Sequence, residues 1–129
     1  MPDIYAERGY GNRKLGFGDK IGVVVVDFQR GFIDPEFPMG GAPMVDQAVR
    51  STVPLIQAAK RAGLPVIACV NGYDSPRAAP HWKVGPVFDL LRGTRAVELG
   101  PRIAAAGPVI DGAAAIEAIE QWRRANDRR

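Results

Sequence analysis

Apolar and polar positions alternate along this chain in blocks that read as strand, loop, helix and strand. Ile21-Gly22-Val23-Val24-Val25-Val26-Asp27-Phe28 is a continuous β-branched run closed by polar residues. That pattern predicts a strand covered on both faces in a parallel sheet. Gln29 to Pro43 holds three prolines and three glycines, with Asp34-Pro35 and Gly40-Gly41 as turn signals, and predicts a loop at the carboxyl edge of that strand. From Met44 to Ala62 the apolar residues Val45, Val49, Val53, Ile56 and Ala59 recur at helical spacing, and Gly63 follows as a stop. Pro54 interrupts this pattern, so a kink or two joined segments is expected. Pro65-Val66-Ile67-Ala68-Cys69-Val70-Asn71 is a second apolar run ended by a polar residue. Strand, helix and strand make one βαβ unit, expected to be parallel and right-handed.

The flanks are less regular. The first twenty residues, rich in Gly, Arg and Tyr, show no periodicity and read as an arm. Gly72 to Pro86 is a second polar loop at the same sheet edge, and Val87 to Arg92 fits a short helix. Pro108-Val109-Ile110-Asp111 fits a short third strand, and Ala113 to Arg124 a weakly amphipathic helix with Ile116, Ile119 and Trp122 or Arg123 on neighbouring faces. The division expected is an arm over 1–20, a domain over 21–104 and an alanine-rich helical tail over 105–129.

Composition narrows the class. An apolar fraction of 47% is that of a globular chain, and the apolar run at Gly22–Val26 is far shorter than the roughly 20 residues a membrane span requires. The first residues mix acid and base where an export signal would run apolar, so the expected compartment is the cytoplasm, with no membrane partner. The single cysteine, Cys69, cannot form an internal disulfide or a cysteine-built metal site. A net charge of +3 raises the question of an acidic partner. The bases are scattered, however, and the cluster Arg123, Arg124, Arg128 and Arg129 lacks the interleaved aromatics of a single-strand platform, so it reads as a solvated helix end and no nucleic acid is expected.

In open parallel sheets the ligand crevice lies outside the carboxyl ends of the strands, so Asp27 and the loops after Phe28 and Asn71 converge on one place. A charge at the end of a valine-rich strand has a partner or a task, whether as general base, metal ligand or orienting group, or else caps a loop through backbone N–H groups. Asp27-Phe28-Gln29-Arg30-Gly31-Phe32-Ile33-Asp34-Pro35 after Val23–Val26 resembles the first strand and loop of the isochorismatase-like cysteine hydrolase superfamily. Tyr10-Gly11-Asn12-Arg13 and Leu15-Gly16-Phe17-Gly18 are similar to the lead-in of its N-carbamoylsarcosine and maleamate amidohydrolase branch. Ala58 to Ile67 resembles the junction of helix and second strand, and Trp82-Lys83, Pro86, Gly93-Thr94 and Glu98-Leu99 resemble the next segment. The likeness covers residues 8 to 104.

The resemblance implies a three-layer, Rossmann-like α/β fold with a six-stranded parallel sheet, here cut to two or three strands. It also implies an Asp-Lys-Cys triad that hydrolyses a C–N bond without a cofactor. The acid takes the thiol proton, the thiolate attacks an amide carbonyl, ammonia leaves and water hydrolyses the thioester. Asp27 holds the general-base position. Gln29, Phe32, Tyr73 and Trp82 are candidates to contact a small amide or carbamoyl substrate. Asp111 stands about where the lysine belongs, and the nucleophilic cysteine falls beyond the last residue, as in a truncated or frameshifted gene. Cys69, inside an apolar run, is expected to be a small buried hydrophobe, Lys83 a solvated lysine and His81 a surface residue. Asp74 and His81 do not complete a metal set, so no metal is expected. The expectation is a chain inactive alone or, alternatively, a non-catalytic module derived from that fold. Marginal stability or homo-oligomerisation is expected of so few strands.

Overall fold

The computed structural model describes residues 2–78, 82–108 and 112–127. Its centre is a two-stranded parallel sheet, β1 (Val23–Val26) and β2 (Val66–Cys69), with Val23 opposite Val66 and Val26 opposite Cys69. Helix α1 is a single turn in the arm (Ile4–Glu7), where Oδ1 of Asp3 accepts the N–H groups of Tyr5 and Ala6. After β1 come a one-turn helix, α2 (Arg30–Ile33), and the long helix α3 (Pro43–Arg61). The segment expected to be all loop therefore contains a helical turn, which starts at Gln29 and is held by the N–H of Asp34 donating to Arg30 O. Among the described residues no helix is long and apolar enough to cross a membrane.

The fold is a partial α/β unit with its core on one side. Val25, Val66 and Ala68 point to one face of the sheet and are buried with Val49, Ile56 and Ala59 of α3. That core is completed by Ile103 and Ala106 from helix α4 (Pro101–Ala106), which packs on α3. The other face is open: Val24 is 63% exposed and Val26 53%. The expectation of a strand covered on both faces is therefore corrected. Side chains alternate across a strand, and among the described residues α3 and α4 supply the cover for one face alone.

Helix α3 is also one continuous element rather than two. Pro54 lies on its exposed side, where the carbonyl that loses a donor can bond to water. Helix α4, inside the alanine-rich stretch, was not expected. Pro101 at its first turn and Gly107 at φ +78° after its end give it the start and stop that its alanines need. Its last carbonyls, Ala106 O and Gly107 O, accept from Lys60 Nζ at 3.4 and 3.2 Å. Because the ammonium offsets the negative end of a short helix, Lys60→Met is expected to lower stability by about 0.5–1 kcal/mol, read from the urea midpoint.

The short helix expected near Val87 is a 3-10 segment at Gly85–Asp89, and the tail helix is present as α5 (Gly112–Asn126). Its Ile116 and Ile119 are exposed, and Ala115 is its buried side chain. The expected strand over 108–111 falls, from Val109 onward, outside the described residues.

Candidate functional site

The carboxyl ends of β1 and β2 lie side by side, so the loops that leave them begin as neighbours. Asp27 is the first residue after β1, and its N–H donates to Cys69 O at 3.0 Å, extending the ladder by one bond. There the chain turns sharply. Asp27 has φ +62°, and it is the non-glycine residue with positive φ among the described residues. Aspartate visits this left-handed region more readily than most side chains, yet it still costs free energy that a fold retains where the geometry serves a purpose. The Asp27 side chain is exposed, and among the described residues its carboxylate has no hydrogen-bonding or ionic partner.

Beside Asp27 lies a cleft of about 360 Å3, bounded by Val26, Phe28, Phe32, Ile33 and the start of α3. Phe32, a candidate substrate contact, thus shares a wall with Asp27. It also packs on a second small core formed by Val87, Leu90 and Ala96.

Gln29 is placed differently from an open substrate contact. It is fully buried, and its Nε2 donates to Asn71 O at 2.8 Å and Ala96 O at 3.2 Å while Oε1 accepts the N–H of Asn71 at 2.6 Å. The side chain therefore ties the loop after β1 to the loop after β2 and to the segment before Leu99. The backbone adds to this: Arg30 N–H donates to Glu98 O at 2.8 Å, and Gly100 N–H to Phe28 O at 2.9 Å. These bonds hold Asp27 and its cleft against a fixed frame.

Arg30, which the sequence did not single out, knots the outer side of the same loop. Its guanidinium meets Asp34 at 2.7 Å, Glu36 at 3.0 Å and Glu98 at 3.8 Å, and Arg95 meets Glu36 at 2.8 Å. The hydrogen bond to Asp34 holds Arg30 above its ordinary pKa; burial, the next largest effect, opposes it, and the charges of Asp34 and Glu36 add to the rise. The i,i+4 spacing of Arg30 and Asp34 was a legible signal for an ion pair; Glu36, Arg95 and Glu98 required the fold.

Tyr73 and Trp82 are brought together, the indole Nε1 donating to the Tyr73 hydroxyl at 2.7 Å. Tyr73 also pairs its backbone with Leu90 and Arg92, which fastens the loop after β2. Neither residue lines the cleft beside Asp27. Asp74 pairs with Arg92 at 3.1 Å, Lys83 is exposed, and His81 and Asp111 lie outside the described residues.

Cys69 requires a correction, since it is exposed rather than buried. It ends β2 on the open face of the sheet, opposite the exposed Val26, because the apolar run that suggested burial has cover on one side only.

Residues 22–116, more than half of the chain, match the family model described as Isochorismatase domain. No curated protein matches the chain.

Proposed function

Since the chain belongs to the isochorismatase domain family, we propose that it carries the acid-bearing part of a hydrolase site for C–N bonds of small amide or carbamoyl compounds, with Asp27 as general base. The observation behind this reading is the unpartnered carboxylate of Asp27, held at φ +62° at the carboxyl end of a parallel strand. The loop resemblance to the carbamoylsarcosine and maleamate amidohydrolases supplies the substrate class. In such chemistry the acid accepts a thiol proton, the thiolate adds to the amide carbonyl, ammonia leaves, and water releases the acyl group from sulfur.

The 129 residues by themselves are proposed to be inactive. Cys69 is their one thiol, and although it pairs with Val26 it does not line the cleft beside Asp27. Lys83 is solvated, so it adds no fixed positive charge for a tetrahedral intermediate. The purified chain is expected to release no ammonia above background from N-carbamoylsarcosine or maleamate. Turnover lost on both Cys69→Ser and Asp27→Asn would sink the claim of inactivity. Thiol labelling of Cys69 is expected to proceed at an ordinary surface rate and to change less than about twofold on Asp27→Asn.

One observation favours a second reading, that of a self-associating, non-catalytic module. Val24, Val26 and Cys69 present an exposed, largely apolar surface, and among the described residues each strand of the pair has a free edge. Light scattering after size exclusion separates the readings, because a compact monomer at every concentration argues against association.

A further inference from the structure

We infer that the arm of one copy of this chain docks on the open sheet face of a second copy, anchored by Leu15 and Phe17, and that the two copies exchange arms about a two-fold axis. Lys14-Leu15-Gly16-Phe17-Gly18 has no regular secondary structure. Side chains alternate along an extended segment, so Leu15 and Phe17 share one side of this strip and two glycines leave the other side bare. Leu15 is 92% exposed and Phe17 90%. A Cβ added at Gly16 or Gly18 would meet nothing within 4 Å, so the strip stands clear of the rest of its own chain. Two large apolar side chains left open side by side mark a contact surface rather than scattered exposure.

The receiving face is largely apolar. By the alternation that buries Val25, Val66 and Ala68, the side chains of Val24, Val26, Ile67 and Cys69 share the opposite face. At its amino end Val24 and Ile67 border a cleft of about 360 Å3 together with Ile119 and Trp122 of α5, room enough for a phenylalanine ring. Lys20, also on that cleft, is paired with Asp127 at 3.7 Å. Leu15 and Phe17 are about 7 Å apart in an extended strip, as are Val24 and Val26, so Phe17 in the cleft sets Leu15 over Val26 and Cys69. The chain's own arm falls short of full cover. Phe17 stands four residues before Ile21, a reach of at most about 14 Å, whereas Val26 lies about 16 Å beyond Ile21. The arm of a second copy has no such limit. Leu15 and Phe17 bring about 300 Å2 of apolar surface, and the face beneath them gives up a similar area. Exchange of two arms doubles this to about 1,200 Å2, the size at which specific interfaces begin.

This inference rests on the reading of a self-associating module and names how the copies meet. The full chain, followed by light scattering at rising concentration, is expected to reach the mass of a dimer. Leu15→Ser combined with Phe17→Ser is expected to weaken association at least about tenfold. Circular dichroism is expected to show an unchanged fold, since both side chains are exposed. Val24→Lys, on the receiving face, is expected to weaken association equally. A chain carrying Leu15→Cys and Cys69→Ser, mixed with the unaltered chain under mild oxidation, is expected to form a disulfide from its new thiol to Cys69 of the other chain. A dimer unweakened by the double change would overturn the arm contact and leave self-association standing, whereas a monomer at every concentration would sink both. Leu15→Cys in a chain that keeps Cys69 would also overturn the inference by closing an internal disulfide, because the arm would then cover its own sheet.

Discussion

Replacing Gln29 with methionine is expected to cost about 3–6 kcal/mol and to loosen the site together with the fold. Methionine keeps nearly the same shape and removes only the amide, so the change isolates the hydrogen bonds from the packing. Three backbone groups lose their partner: the carbonyls of Asn71 and Ala96 and the N–H of Asn71. The bond to Ala96 O is buried and the two to Asn71 are part-buried, and an orphaned buried group costs about 1–3 kcal/mol. Chemical denaturation gives the total. Hydrogen exchange at Asn71, read beside that of the α3 core, shows whether the two loops part before the rest of the molecule. A loss under about 1 kcal/mol would mean that water replaces the amide, and the frame assigned to Gln29 would be wrong.

The second large effect is expected at Ile103. Ile103→Ala is expected to destabilise the protein by about 2–5 kcal/mol, because a side chain with 0% exposure is removed from between α3 and the sheet. Helix α4 has six residues and little stability of its own, so without Ile103 it has only Ala106 to anchor it in the core. The change should therefore also release the cap formed by Lys60. Combining Ile103→Ala with Lys60→Met is expected to cost less than the sum of the two single changes, since both act on the docking of one helix. Strict additivity in urea denaturation would show that α4 stays docked without its isoleucine.

These two residues mark where reading the sequence succeeds and where it stops. The β1 and β2 runs and the α3 face of Val49, Ile56 and Ala59 were legible because strand and helix impose different periods on their buried positions. Asp27 was legible because a charge closing a valine run has few ordinary explanations. Gln29 was noticed for its place in a loop resemblance, but its burial was not visible, since its three partners lie 42 and 67 residues away. Cys69 was misjudged for the opposite reason: its neighbours in sequence are apolar, while its neighbours in space leave it open. Alanines hid α4, because Ile103 and Ala106 are two contacts in a stretch without a clear polar face.

By itself the sequence determined the strand-helix-strand order, the parallel pairing and the position of a lone acid at the end of β1, all of which follow from local periodicity and from the length of chain between the strands. Tertiary structure alone decided that Asp27 turns into the left-handed region beside an apolar cleft, that Gln29 joins two loops and that, among the described residues, one sheet face carries the core while Val24 and Val26 on the other stay exposed. Those outcomes depend on which distant groups arrive to satisfy a backbone bond or exclude water. Periodicity tells which residues share a face, and only packing tells what, if anything, lies against it.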